Sequence, residues 1–213
     1  MEEDLFAVTE GITVEDLIRA YDIGVFPWPD PSLKNLVPWF KPLERGVIFF
    51  DQLHLPRSFK KFLKKTEFKV SFCKEFSKVI EACSSVKRKD HPGTWIDDEI
   101  IKVYTELFKR KRAYSVEVWL GGELVGGLYG VLTDRGVSGE SMFYKKTGAS
   151  KFALYSLIKK LDLLGLSYID TQMITPVVQA FGGVKISKED FDKLLIGGKI
   201  KMCSTLFEEL KNG

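Results

Sequence analysis

The sequence predicts an α+β protein in which a small N-terminal module precedes a larger domain with a mixed, largely antiparallel sheet flanked by helices. Three strand-like segments follow one another between residues 114 and 143, and a Gly-Gly pair separates the first two. A long helix-like segment and one more strand-like segment come next. Six of the eight prolines lie within the first 56 residues, which favours an irregular module there.

The N-terminal module is expected to cover residues 1–66. Thr13 can cap a helix, with Asp16 as its capping-box partner, and Gly24 ends that helix. The following segment, GVFPWPDPSLKNLVPWFKP, is rich in proline and aromatic residues and cannot form a regular helix.

A basic segment, PRSFKKFLKK, closes the module. Its five cations share one face of a predicted helix: Arg57, Lys60, Lys61, Lys64 and Lys65. Cations on one stripe repel one another, and a phosphate backbone would relieve that repulsion. A solvated face is the alternative, and the charge pattern alone favours it. A membrane surface is disfavoured, because only Phe59, Phe62 and Leu63 oppose the cations.

The larger domain, residues 67–213, alternates helix-like and strand-like segments. Periodicity predicts these elements: helices at 76–83, from the cap Asp97 onward and at 149–164, and strands at 114–120, 124–132, 137–143 and 168–173. This order is that of the GNAT-type acetyltransferase fold, by analogy. Acetyl-CoA users of that fold carry an [RQ]-x-x-G-x-[GA] loop before the long helix. The corresponding stretch here, FYKKTGASKFAL, lacks it, so coenzyme A is not expected as donor.

Composition excludes several classes of protein. No apolar run reaches the roughly 20 residues that cross a bilayer, and the acidic start is no signal peptide, so a cytoplasmic protein without membrane contact is expected. Three cysteines without a CxxC argue against disulfides and metal. With two histidines, His54 and His91, and no nucleophile elbow, Walker loop or HExxH, a nucleophilic triad and metal hydrolysis are disfavoured.

Polar residues interrupt two strands that should be apolar. Asp170 and Gln172, two residues apart, project to the same face of one strand. Glu140 follows Gly139, which permits close approach of another backbone. Because burying a carboxylate is costly unless it is paired, such residues are retained for structure or for function. Each position taken alone leaves these two readings evenly balanced.

Nine collinear segments resemble the leucyl/phenylalanyl-tRNA–protein transferase family, over about residues 12 to 196. The matching segments are Tyr21–Trp28, Val37–Arg45, Leu53–Phe62, Gly93–Ile96, Tyr114–Trp119, Leu124–Gly130, Gly139–Phe143, Ala149–Lys151 and Ile169–Gln172. The resemblance implies an enzyme that moves Leu, Phe or Met from charged tRNA to a protein beginning with Arg or Lys. The modified protein is thereby marked for degradation. No CoA, ATP or metal cofactor is implied.

The resemblance also implies roles for individual residues. Trp28 and Trp95 would flank the terminal adenosine of the tRNA. Apolar residues would line the pocket for the transferred side chain: Leu128, Met142, Leu154, Leu157, Leu161 and Ile169. Tyr104 and Ser141 complete the predicted substrate contacts, and the basic helix would hold acceptor-stem phosphates.

Glu140, Asp170 and Gln172 match the family's polar active-site positions. Gln172 can accept a hydrogen bond from the attacking amine, and Asp170 can orient that amide. Glu140 can pair with the cationic side chain or ammonium of the acceptor. A monomer is expected.

Two departures from the family pattern stand out. The N-terminus is short, and the segment after Gln172, MITPVVQAFGG, lacks the usual histidine, which bears on acceptor preference. Three alternatives are a CoA-dependent N-acyltransferase, a non-catalytic RNA-binding module and a tRNA-dependent peptidoglycan aminoacyltransferase. The CoA-dependent enzyme would need the [RQ]-x-x-G-x-[GA] loop, which this sequence lacks. An RNA-binding module would leave the polar residues in the strands unexplained, and the peptidoglycan aminoacyltransferases usually need two such domains.

Overall fold

The structure is a computed structural model that describes residues 4–86, 95–197 and 202–212. Its helices are α1 (Val14–Asp22), α2 (Arg57–Leu63), α3 (Phe76–Ser84), α4 (Asp98–Lys109), α5 (Ala149–Leu163), α6 (Pro176–Ala180), α7 (Lys188–Gly197) and α8 (Cys203–Lys211). Its strands are β1 (Leu5–Glu10), β2 (Phe26–Pro27), β3 (Leu36–Phe40), β4 (Glu44–Phe49), β5 (Lys69–Phe72), β6 (Ala113–Leu120), β7 (Glu123–Leu132), β8 (Val137–Tyr144), β9 (Tyr168–Gln172) and β10 (Val184–Ser187). His91 and the first half of the Gly93–Ile96 motif lie outside the described residues.

Two sheets organise the chain. The larger has seven strands in the order β10-β4-β9-β8-β7-β6-β5. Its pairs are antiparallel except β8 with β9, which run parallel. The smaller sheet has the order β1-β3-β2 and takes in part of the proline- and aromatic-rich segment. The predicted α+β class with a mixed, largely antiparallel sheet and flanking helices is confirmed.

Strand β4 joins the two parts of the chain. It precedes residue 66 in sequence, yet it lies between β9 and β10 in the larger sheet. Sheet hydrogen bonds therefore cross the division expected between residues 66 and 67. The helix α2, which follows β4, also packs on the larger part, because Phe59 contacts Tyr155 of α5 and Phe62 contacts Gly148.

Local sequence signals explain where several elements begin and turn. Thr13 and Asp16 form the capping box of α1, as predicted. Asp97 accepts a hydrogen bond from the backbone N–H of Ile100 and caps α4. Gly121 and Gly122 adopt φ angles of +58° and +86°, as a two-residue hairpin turn between β6 and β7 requires.

The larger sheet has an apolar core on each face. Alternation along β7 sends Leu128 into one core and Tyr129 into the other. The first core contains the inner face of α5, and the second contains α1, α3 and α4. No helix within the described ranges is long and apolar enough to span a bilayer.

Candidate active site

An open cleft of about 1090 Å³ lies beside the parallel pair β8 and β9. Elements α3, β7, β8, α5, β9 and the segment through α6 contribute to its walls. Leu128, Met142, Leu154, Ile169 and Val178 give it apolar lining. The cleft can therefore take an apolar group and bring it to the polar ends of the two parallel strands.

The parallel pairing of β8 and β9 brings the predicted acid and amide together. Ser138 lies opposite Asp170 in the register, so Glu140 and Gln172 follow at the same end of the two strands. The Gln172 Nε2 donates to Glu140 Oε1 at 3.1 Å, and the Ser138 hydroxyl donates to the same oxygen at 2.7 Å. This bond orients the Gln172 amide, whose Oε1 accepts no hydrogen bond from the described residues.

The backbone at Gln172 is held in a strained conformation. Its φ is +56°, in the left-handed region that non-glycine residues rarely adopt. A Cβ on the neighbouring Gly46 would lie 2.7 Å from the carbonyl carbon of Met173, so only glycine lets β4 pass this bend. Strain of this kind costs about 1–3 kcal/mol and is typical of functional sites.

Asp170 lies behind Gln172 and is clamped by a buried arginine. Arg45 donates from Nε and Nη2 to the two carboxylate oxygens, at 2.8 and 2.6 Å. The same carboxylate accepts the backbone N–H of Gln172 at 2.9 Å. Asp170 therefore does not line the large cleft, but it holds the backbone of the residue that does.

Arg45 was not predicted as a site residue. Its side chain is 1% exposed and lies against the rings of Phe26 and Phe191, with its guanidinium carbon 4.7 and 4.6 Å from their centroids. Its Nη1 donates to the Gly24 carbonyl. One sequence signal could have identified it: Arg45 stands at the start of the apolar run that forms β4. An arginine buried with that strand requires an acidic partner.

Glu140 has an unusual electrostatic environment. Burial raises the pKa of its carboxyl group to about 7, against opposing hydrogen bonds from Ser138 and Tyr21. The Tyr21 hydroxyl lies 2.8 Å from that of Tyr104. Burial raises the pKa of both tyrosines well above the usual range. Tyr104 thus lies behind Tyr21 in a buried polar chain that leads to Glu140.

The predicted site residues divide between the cleft and the core. The cleft is lined by Trp28, Leu128, Glu140, Ser141, Met142, Leu154, Ile169 and Gln172. The others do not line it: Leu157, Leu161 and Tyr104 are fully buried, and Asp170 and Trp95 are 6% and 8% exposed. Helical spacing correctly placed Leu157 and Leu161 on the inner face of α5. Spacing does not show how deeply a residue packs, so it could not distinguish residues that line the cleft from residues buried in the core beneath it.

The two tryptophans expected to flank a base contact each other. Their ring centroids are 6.0 Å apart with an interplanar angle of 23°, a separation typical of direct aromatic contact. Trp28 lines the cleft, whereas Trp95 lies behind it with an Nε1 that has no hydrogen-bond partner in the described part of the chain. Of the two tryptophans, only Trp28 therefore lines the cleft.

Several polar residues of the cleft were missed by sequence reasoning, and Thr171 and Ser150 are two of them. The Thr171 hydroxyl is buried and has no partner among the described residues. Ser150 lines the cleft from the first turn of α5. Neither carries a distinctive sequence signal, because serine and threonine are common at helix starts and in strands.

The basic residues of α2 are all exposed: Arg57, Lys60, Lys61, Lys64 and Lys65. The helix ends at Leu63, so Lys64 occupies its C-cap and Lys65 the following turn. No ion pair joins any of the five to an acid within residues 4–86, 95–197 and 202–212.

Comparison with solved structures gives only distant likenesses. A functionally unknown conserved protein from Staphylococcus epidermidis aligns with a TM-score of 0.43 and 9% identity, over 86% of this chain and 68% of that one. L-PGS from Bacillus licheniformis aligns with a TM-score of 0.42 and 12% identity, over 96% and 63%. At TM-scores below 0.5 these likenesses do not establish a shared fold.

Comparison with sequence families is decisive. The model of the leucyl/phenylalanyl-tRNA protein transferase family matches residues 47–196, and that of its N-terminal domain matches residues 11–43. The leucyl/phenylalanyl-tRNA–protein transferase of Hydrogenovibrio crunogenus is 41% identical over 196 residues, which cover 91% of this chain and 75% of the relative. That of Christiangramia forsetii is 42% identical over 197 residues, 92% of each. The chain belongs to the leucyl/phenylalanyl-tRNA protein transferase family.

Proposed function

We propose that this chain transfers Leu, Phe or Met from aminoacyl-tRNA to the α-amino group of proteins that begin with Arg or Lys. The product carries a new peptide bond and is marked for degradation. One observation carries the proposal beyond family membership: the apolar cleft ends at the Glu140–Gln172 pair, where an amine and an ester can meet. The reaction needs no cofactor, because an ester is converted into a more stable amide.

The walls of the cleft account for the choice of amino acid. Leu128, Met142, Leu154 and Ile169 offer apolar contacts and no charged group. A polar side chain would lose its hydrogen bonds to water there without replacement. Met142 is flexible enough to adapt to side chains of different shapes, as binding both Leu and Phe requires.

The polar residues position the amine and receive its proton. The acceptor nitrogen attacks the ester carbonyl, a C–N bond forms, and the bond from carbonyl carbon to ribose oxygen breaks. Gln172 Oε1 accepts a hydrogen bond from the amine, and Asp170 holds the Gln172 backbone in place. The ammonium gives up two protons: one goes to the departing ribose oxygen and one to Glu140, whose pKa near 7 suits a base at neutral pH.

The tRNA end is held by stacking and by charge. Its terminal adenine stacks on Trp28 at the cleft, and the α2 cations contact phosphates of the acceptor stem without reading sequence. A base flanked by both tryptophans would require their rings to separate.

We place the reaction in the cytoplasm, where aminoacyl-tRNA is made. We also expect a monomer with a GNAT-type arrangement of residues 67–213 beside an N-terminal module.

The test is transfer of labelled leucine from Leu-tRNA to synthetic peptides that differ only in their first residue. We expect transfer to peptides starting with Arg or Lys and none to those starting with Glu. Glu140→Lys should abolish transfer, since it places a cation against the incoming ammonium, while Leu-tRNA binding in a filter assay stays within about threefold.

Glu123→Lys is the matched control, because it makes the same change in charge at the exposed β6–β7 turn. It should transfer like the unsubstituted protein. Full activity of Glu140→Lys would refute the role of Glu140. Absence of transfer by the unsubstituted protein would refute the proposed function.

A further inference from the structure

The first turn of α5 offers hydrogen-bond donors that the fold does not use. Gly148 precedes the helix with a φ of +89° and supplies no side-chain cap. The backbone N–H groups of Ser150 and Lys151 donate to no group in the described part of the chain. The helix has 15 residues, so its dipole adds a favourable field for an anion at this end.

Ser150 gives a second and independent indication of a ligand. Its side chain lines the cleft although the residue is only 7% exposed. Its hydroxyl makes no hydrogen bond to the described residues, and it is open to the cleft and not sealed in the core. A polar ligand in the cleft would satisfy it.

Positive charge surrounds this turn. Lys145 lines the cleft beside Ser150, and Lys146 and Lys151 are exposed next to it. None of the three forms an ion pair with an acid among the described residues. Phe62 of α2 contacts Gly148, so the exposed cations of α2 adjoin the same end of α5.

The turn lies next to the proposed amino-acid pocket. Ser150 and Leu154 are one turn apart on the same face of α5, about 6 Å along its axis, and both line the cleft. A ligand that places an apolar group against Leu154 and an anion at Ser150 therefore carries the two close together. An aminoacylated nucleotide has this arrangement.

We propose that the first turn of α5 binds a phosphodiester at the 3′ end of the aminoacyl-tRNA. The Ser150 hydroxyl, the two unused backbone N–H groups and Lys145 contact its oxygens. This site rests on the proposed function, because it assigns a subsite of the same cleft. The group that binds is a phosphate ester. The diphosphate of a nucleotide cofactor such as coenzyme A carries the same group, so the experiment must distinguish it from the tRNA phosphodiester.

The experiment compares two minimal donors, 3′-leucyl-adenosine with and without a 5′-phosphate, in transfer to a peptide starting with Arg. For the unsubstituted protein we expect kcat/KM to be at least about tenfold higher with the phosphate, as for hydrogen bonds to a charged group. Ser150→Asp should bring that ratio close to one, because its carboxylate repels the phosphate. Lys145→Ala should lower it several-fold.

The variants separate loss of the site from loss of the fold. An acidic residue suits the first turn of a helix, so Ser150→Asp should fold, and a urea transition like that of the unsubstituted protein checks this. Lys159→Ala, which removes an exposed charge from the far end of α5, should leave the ratio unchanged. An equal kcat/KM for both donors, or a ratio unaffected by Ser150→Asp, would overturn the phosphate site while the transferase function stood.

A titration with coenzyme A tests the second source. We expect no competition with the phosphate-bearing donor at millimolar coenzyme A. Tight binding of coenzyme A that Ser150→Asp abolishes would assign the turn to a cofactor diphosphate and overturn the proposal. Failure of intact Leu-tRNA to serve as donor would instead refute the transferase function itself.

Discussion

The Arg45–Asp170 pair connects the interior of the protein to the cleft. The two charges are almost completely buried, and each satisfies the other through two hydrogen bonds. Asp170 passes this constraint to Gln172 through the backbone N–H bond, and Gln172 faces the cleft in a left-handed conformation. The Arg45–Asp170 pair therefore fixes the position of Gln172, although neither of the two charged residues lines the cleft.

Removal of Arg45 should destabilise the fold strongly. Arg45→Met leaves the Asp170 carboxylate buried without its cation, which costs about 3–5 kcal/mol. Urea unfolding at neutral pH measures the loss. The double variant Arg45→Met/Asp170→Asn, which removes both charges, should lose less than the single variant. A single variant within about 1 kcal/mol of the parent protein would show that the pair is not held as described.

Glu140 should make folding stability depend on pH. Burial raises its pKa from 4.5 to about 7, so between these values the folded protein keeps a proton that the unfolded chain has lost. Folding stability therefore falls as pH rises from 4.5 to about 7. Above this range the contribution of Glu140 to stability no longer changes with pH.

Glu140→Gln should remove this dependence while its side-chain oxygen still accepts from Gln172. We expect the variant to gain stability relative to the parent, on the order of 2 kcal/mol, as pH rises from 4.5 to 7.5. Urea titrations at four pH values in this range measure the difference. A constant difference between the two proteins would show that the Glu140 pKa is not raised.

Helix α2 is short and depends on aromatic packing for its position. Phe59 stacks with Phe62 and contacts Tyr155 and Phe181. This anchoring turns the cations of the segment outward. The amphipathic pattern predicted this division of faces, but the helix ends at Leu63, before the pattern does.

Loss of α2 cations should reduce the salt dependence of tRNA binding. For Lys60→Ala/Lys61→Ala/Lys64→Ala, we expect the slope of log K against log salt concentration to become shallower by about 2 to 3, because three phosphate contacts are lost. Binding assays between 50 and 300 mM salt measure it. Replacing Lys185, Lys188 and Lys193, which pair with acids in β4 and α7, controls for net charge. Equal slopes for both triple variants would show that the α2 cations face solvent and do not contact the tRNA.

The seven-stranded sheet makes the two predicted parts of the chain interdependent. β4 comes from the first part and separates β9 from β10 of the second. The second core also mixes the two parts, since Leu17 and Tyr21 of α1 pack with Tyr104 and Tyr129. Unfolding should therefore follow a single transition for the chain.

A fragment of residues 67–213 should fail to fold. Without β4, the strands β9 and β10 lose their shared neighbour, and Asp170 loses Arg45. Circular dichroism in urea and size-exclusion chromatography measure cooperativity and compactness. A fragment of residues 11–213 is the control, because it loses only the edge strand β1 and should keep a cooperative transition. Cooperative unfolding of residues 67–213 would show that the division at residue 66 is one between independent domains.

Local signals in the sequence determined many of the helices and strands. Capping residues, the Gly-Gly turn and the alternation of apolar residues act over a few positions, so they were sufficient to predict α1, α4, α5 and the strands β6 to β9. The family and the polar residues Glu140, Asp170 and Gln172 were also evident, because several short segments agreed in order.

Only the tertiary structure decided which residues meet across long distances in sequence. Arg45 and Asp170 are 125 residues apart, and no local pattern encodes their contact. The same holds for the insertion of β4 between β9 and β10, and for the separation of Leu154, which lines the cleft, from Leu157 and Leu161 beneath it. Such pairings follow from how the sheet and helices pack, since burial and charge pairing act through space and not along the chain.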